Sequence, residues 1–196
     1  FKNNFIKFVN GNIINFHAAR LPIDGGGGSF SWRIMKNDRI NIMLLHKVTE
    51  NIDTGPIISY HQNLFPKSCR IPKEFKKYCD NSLLEFYESF IRKLSNGKKF
   101  EEMHQPNYLS SYYPRLDSND SSWIDWNMSA VEIERFINAF DDPYKGSLTL
   151  INNKKVRLKK VQLHSEKINS TSLTRGLIIK KEKKWLMVFL DDKNYL

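Results

Sequence analysis

Two cysteines, Cys69 and Cys79, are all that the 196 residues contain. A lysine-rich segment separates them, with no metal-ligand spacing and no partner pair elsewhere, which excludes a disulfide scaffold or a cysteine-built zinc site. They read as reduced thiols in a cytoplasmic protein. No apolar run approaches the ~18 residues that a membrane span requires, and the mean hydropathy of −0.52 fits that reading. The opening stretch FKNNFIKFVNGNIINF lacks the basic tip, continuous apolar core and small-residue cleavage site of a secretory signal. Internal repeats, low-complexity tracts and an evident activated serine or cysteine are also missing, so covalent nucleophilic catalysis has no candidate.

What is present is positive charge, +10 from 31 Lys and Arg against 21 Asp and Glu. Such a balance permits a polyanionic partner, tRNA or a nucleotide diphosphate. The lysines are scattered among Asn and Ile, however, and a nucleic-acid footprint requires them clustered. Nonspecific nucleic-acid binding therefore rests on charge alone.

The chain opens at Phe1 on what reads as the approach to a strand, and both ends read as cut. Residues 12–16 (NIINF) form a short β-branched run, followed by the loop LPIDGGGG. Residues 29–37 place Phe30 with Ile34 and Trp32 with Met35 at helical spacings, and INIMLLHKV (40–48) reads as a buried strand. A turn over 50–55 leads to PIISYHQNL, another strand. An amphipathic helix over 81–95 would bury Leu83, Leu84, Tyr87, Phe90, Ile91 and Leu94. Strand and helix in alternation predict an α/β layer with a largely parallel sheet, whose strand-end loops bind ligands. Residues 105–122 lack periodicity and read as a linker, with a second unit opening at Trp123. There Ser129 and Glu132 form a capping-box signature ahead of the stripe Val131, Ile133, Phe136, Ile137, Phe140, halted at Asp141-Asp142-Pro143. Two hairpins follow: SLTLI with KVRLKKVQL around Asn152-Asn153, then LIIKK with WLMVFL. The second unit is thus expected to be a helix plus a small antiparallel barrel.

Asn15-Phe16-His17 is a weak signal by itself. In an extended strand positions 15 and 17 point to one side, so an amide and an imidazole at a strand end would face one pocket. The surrounding residues add weight: Leu21-Pro22, the glycines 25–28, a Trp-bearing helix, and Asp53-Thr54-Gly55 in a second strand-end loop. Asp53 lies 36 residues after His17. His46, in the apolar strand, reads as a hydrogen-bonded core residue, and Trp32, Trp123 and Trp126 as packing anchors.

Together the motif N15-F-H17-A-A-R-L21-P22-I-D-G25-G-G-G28 and the stretch HKVTENIDTGPIISY resemble the folate-dependent formyltransferases. In that family a strand-end Asn-x-His, a Leu-Pro step and a Gly-rich loop precede Asp-x-Gly. Downstream, Trp123-Ile124-Asp125-Trp126, SAVEIERFINAF and Pro143-Tyr144-Lys145-Gly146 are similar to the start of the carboxyl-terminal domain of methionyl-tRNA and sugar-nucleotide formyltransferases. The resemblance implies an α/β, Rossmann-like formyltransferase domain over 1–116, lacking its upstream half. It further implies a helix-plus-antiparallel-β domain over 117–196, and a cytoplasmic homodimer without membrane association.

It also implies transfer of a formyl group from N10-formyltetrahydrofolate to a primary amine, with Asn15, His17 and Asp53 as the catalytic trio and no metal. The Asn15 amide would donate to the growing oxyanion. His17 would take or return a proton near neutral pH, and Asp53 would hold the imidazole. Glu50, Asn51 and Ile52 would line the pterin pocket with backbone, against the alternative of an ordinary surface turn; Arg20, by its charge, would meet an acceptor phosphate or else be solvated.

Two acceptors compete. The tRNA enzymes carry Ser-Leu-Leu-Pro followed by Tyr-Arg-Gly, whereas this chain has Ala19-Arg20-Leu21-Pro22 and Gly25–Gly28. That departure favours a nucleotide-linked (dTDP or UDP) amino-deoxysugar of surface polysaccharide over methionyl-tRNA. A non-catalytic folate- or nucleotide-binding relative is the third expectation.

Overall fold

The computed structural model describes residues 3–9, 12–165, 174–191 and 193–196. Its chain groups into two compact units, one of Phe1–Ser29, Arg39–Cys69 and Glu74–Arg115, the other of Phe30–Asp38, Arg70–Lys73 and Leu116–Leu196. Among the described residues no helix is long and apolar enough to cross a membrane.

In the first unit, where the sequence suggested the approach to a strand, Asn3–Phe8 form a short helix, α1. Strand β1 (Ile14–His17) follows. Next comes β2 (Gly25–Gly26), then β3 (Ile40–Lys47) and β4 (Ile57–Leu64). The main sheet has the order β1-β3-β4, and both pairings are antiparallel, in register Asn15 to His46 and Leu44 to Tyr60. The largely parallel sheet is therefore corrected for these strands. A parallel neighbour needs a crossover of a dozen or more residues, and the β3–β4 connection spans only residues 48–56.

Helix α3 runs from Pro72 to Ser95, nine residues earlier than its expected start. The extension changes which face is buried. Phe75, Cys79, Phe86 and Phe90 are in the core, while Leu84, Ile91 and Leu94 are exposed. Positions 75, 79, 86 and 90 follow the 3–4 spacing of a single stripe, and the shorter window hid its phase. Phe86 and Phe90 pack on Met43, Leu45 and Ile58, with Phe16 and Phe100 at the margin.

The stretch read as a linker is partly ordered into pairing. Strand β5 (Tyr112–Tyr113) runs parallel to β2. A Cβ on Gly26 would lie 2.2 Å from the Tyr113 carbonyl oxygen, and its φ is +100°, so this close approach requires glycine.

In the second unit, α2 (Ser29–Lys36) has Ser31 and Ile34 buried, and Ser31 donates to the Ala139 carbonyl at 2.7 Å. Helix α4 (Ala130–Ala139) starts at the expected capping box, with Ser129 and Glu132 bonded reciprocally. Ile133 and Ile137 are fully buried against Ala130 and Leu190, with Trp126 packed at the edge. Trp126 is an anchor as expected, its indole donating to Thr149 at 3.0 Å. Trp123 is instead partly exposed, with the Lys155 ammonium over its ring.

Strands β6 (Ser147–Ile151) and β7 (Lys154–Leu158) form the expected hairpin, turned by Asn152 and Asn153, both at positive φ. That is the conformation a two-residue hairpin turn demands. A second sheet has the order β8-β11-β10-β9, from His164–Ser165, Asn194–Tyr195, Leu186–Asp191 and Ile178–Lys181. The described strands of this unit form two antiparallel sheets.

Candidate active site

Antiparallel pairing of β1 with β3 sets Asn15 directly opposite His46. The Asn15 amide nitrogen lies 3.2 Å from His46 Nε2, and His46 Nδ1 lies 2.9 Å from the Lys47 carbonyl oxygen. A carbonyl only accepts, so Nδ1 carries the proton. Nε2 then faces the Asn15 amide as the acceptor. His17, two residues beyond Asn15 on the same face of β1, points to the same place.

Asp53 arrives from the loop between β3 and β4. Its Oδ1 lies 3.6 Å from His17 Nδ1 and 3.6 Å from His46 Nε2. Asp53 itself adopts φ +56°, a left-handed conformation in which Asn and Asp are the common non-glycine residues. Three contacts fix the loop. Lys47 N–H donates to Pro56 O at 2.9 Å, closing its base. Thr49 and Thr54 hydroxyls meet at 3.0 Å across it. The Gln105 side-chain amide donates to both the Asp53 and the Gly55 carbonyls, at 2.8 and 2.7 Å. Gly55 presses on the end of β3, where a Cβ would stand 1.8 Å from the Lys47 carbonyl oxygen.

Exposure divides the group by role. The His17 and Asp53 side chains are 25% and 27% exposed, within reach of a ligand, whereas His46 is 3% exposed. His46 is thus buried and hydrogen-bonded, as its apolar strand suggested, but its outward nitrogen also belongs to the cluster. It occupies the seventh position before Asp53 and the register position opposite Asn15, neither of which marks it without knowledge of the pairing. Gln105 was missed altogether, since it lies in the aperiodic stretch and carries no local signal.

The remaining expected residues lie around this group. Glu50, Asn51 and Ile52 form an exposed loop tip, with Ile52 88% exposed. The Asn51 carbonyl accepts from Thr49 and Thr54. Arg20 pairs with the buried Asp24 at 3.3 Å, and a phosphate there would have to share the guanidinium.

The arrangement offers an amide donor, an accessible imidazole beside a carboxylate, and a buried second imidazole. It suits transfer of a proton and stabilisation of an oxyanion. Residues 118–196 match the formyl transferase C-terminal domain. The chain is 28% identical over 177 residues to the bifunctional polymyxin resistance protein ArnA of Wigglesworthia glossinidia brevipalpis, covering 89% of this chain and 27% of that protein. It is 27% identical to the methionyl-tRNA formyltransferase of Blochmanniella pennsylvanica, covering 85% and 52%. Its fold is similar to the N-formyltransferase of Helicobacter canadensis solved with folinic acid and dTDP-3-aminofucose, with TM-score 0.67, 22% identity, and 94% and 65% of the two chains covered. The chain thus spans only part of the length of these relatives. These matches bear out the resemblance and the α/β fold with its appended domain: residues 118–196 carry the formyl transferase C-terminal domain, and the chain is similar to both sugar-nucleotide and methionyl-tRNA formyltransferases.

Proposed function

We propose that the protein transfers a formyl group from N10-formyltetrahydrofolate to the primary amine of a nucleotide-linked amino-deoxysugar, with residues 1–116 as the catalytic part and 117–196 as the appended domain. The observation that carries this reading is the convergence of Asp53 on His17 and His46, with Asn15 alongside. One Asn15 N–H is used on His46, and the amide's second N–H would donate to the oxyanion formed as the amine attacks the formyl carbon. His17 accepts the amine proton directly or through water, and Asp53 stabilises the imidazolium so formed. The carbon–nitrogen bond to the folate N10 then breaks, and that nitrogen takes a proton, leaving tetrahydrofolate and a formamide.

The folinic acid and dTDP-3-aminofucose bound by the Helicobacter relative support the donor and acceptor classes. So does the Ala19-Arg20-Leu21-Pro22 and tetraglycine sequence. The methionyl-tRNA relative favours the second acceptor. An absorbance assay for tetrahydrofolate release, run against dTDP- and UDP-aminosugars and methionyl-tRNA, tests both. Turnover with an aminosugar nucleotide that disappears in His17→Ala is expected. Turnover with methionyl-tRNA alone would transfer the assignment to that acceptor, and release in neither case would overturn the enzyme reading.

A further inference from the structure

His46 Nε2 and Asp53 Oδ1 lie 3.6 Å apart. With the His46 proton held on Nδ1 by the Lys47 carbonyl, Nε2 has one lone pair, and a cation shared with the carboxylate would take it in place of the Asn15 N–H that it now accepts. His17 Nδ1 supplies a third donor, and the three ligand atoms all lie within 4.8 Å of one another. In a tetrahedral zinc site with bonds of about 2.0–2.1 Å, ligand atoms stand roughly 3.3 Å apart. The two 3.6 Å separations here need only a small contraction.

The surroundings are those of a metal site as well. A ligating histidine ordinarily donates its other N–H to a carbonyl or carboxylate, which fixes the tautomer, and His46 does so. The Gln105 bonds to the Asp53 and Gly55 carbonyls fix the loop that delivers the carboxylate. Two imidazoles with one carboxylate suit Zn²⁺, Co²⁺ or Ni²⁺, whereas Mg²⁺ demands oxygen ligands. Three protein ligands also leave a fourth position open to water.

We propose that His17, His46 and Asp53 form a binding site for a borderline divalent transition ion such as Zn²⁺. Occupancy takes His17 and Asp53 out of proton transfer, so the ion acts as a reversible inhibitor; this second part rests on the formyl-transfer reading. The chain therefore has a metal-sensitive state built from its own reactive groups.

Binding is measured first, without reference to activity, by competition for Zn²⁺ against a chromophoric chelator. One Zn²⁺ per chain is expected, with Co²⁺ giving the visible absorption of a four- or five-coordinate site and Mg²⁺ failing to compete. His46→Gln and His17→Gln should each weaken binding at least about tenfold, whereas His104→Gln should not. Circular dichroism checks that the variants fold, and His17, being partly exposed, supplies the test should His46→Gln misfold. Absence of a stoichiometric site, or affinity unchanged in folded His17→Gln, overturns the proposal. Zn²⁺ binding without loss of formyl transfer would keep the site and remove the inhibition, and a protein that binds Zn²⁺ but never turns over would overturn only the enzyme reading.

Discussion

Asp53 and Asp141 are both carboxylates in loops, and their surroundings are opposite in kind. Asp141 is completely buried, and every bond recorded for its side chain stabilises chain geometry: it accepts from the backbone N–H groups of Asp142 and Lys160 and lies 3.6 Å from the Lys159 ammonium. Asp53 is partly open, its recorded side-chain partners are two imidazoles, and its loop is held instead through backbone carbonyls. A carboxylate satisfied by backbone amides has its hydrogen-bonding capacity spent on the fold. One positioned by bonds to its backbone leaves its oxygens to other partners, as the proposed reaction requires.

The largest expected effect separates the two directly. Asp53→Asn should leave thermal unfolding nearly unchanged while lowering turnover by about 10²-fold or more, and His17→Ala by roughly 10²- to 10⁴-fold. Asp141→Ala should do the reverse. It strands two part-buried N–H donors, costing about 2 kcal/mol, but the surviving folded molecules should turn over at the normal rate. Calorimetry alongside the tetrahydrofolate assay reads both. Equal stability losses in the two variants would erase the distinction.

Next in size is a contrast between a core side chain and a loop clamp. Ile137, fully buried on the inner face of α4, should cost about 2–5 kcal/mol on truncation to Ala, with little change in kcat per folded chain. Gln105→Leu removes both bonds to the Asp53 loop but exposes no charge. Because misplacement of a reacting group by about 1 Å can cost up to 10²-fold, a drop in kcat of roughly 10-fold is expected, with a small change in Tm. A Gln105→Leu protein with full kcat would show that the loop holds Asp53 unaided.

Much of the second unit was legible because its signals are local. Ser129 with Glu132 marks a helix start within four residues, and Asn152-Asn153 marks a hairpin turn within two. In the first unit only the pieces were visible. Asn15, His17 and Asp53 stood out through the resemblance, whereas His46 and Gln105 depend on pairings across 31 and about 50 residues that no local pattern encodes. The strand directions were misread for the same reason: the β3–β4 connection is too short to cross over, and β1 pairs antiparallel with β3 even across the long connection that holds α2, so alternation of strand and helix did not fix direction. Helix α3 was phased wrongly because its first nine residues, including Phe75 and Cys79, lay outside the window that set the stripe.

The smallest effect concerns the cap of α4, where the local reading was right and a pH dependence follows from it. The Ser129 hydroxyl donates to Glu132 at 2.6 Å, and the Ser129 N–H donates to the same carboxylate at 2.9 Å. The hydroxyl bond first, and the backbone bond with it, hold the Glu132 carboxyl below the usual carboxylate range. A group whose folded pKa is depressed stabilises the fold above its unfolded pKa, and that stability is lost as pH falls through the folded value. Ser129→Ala should therefore lower Tm near neutral pH, and the gap in Tm between it and the parent should narrow as the pH is taken below the carboxylate range. The turnover ratio of the two proteins should stay flat across the same series wherever both are folded, because the cap's bonds lie within residues 129–132 and the groups proposed to react lie in the other compact unit.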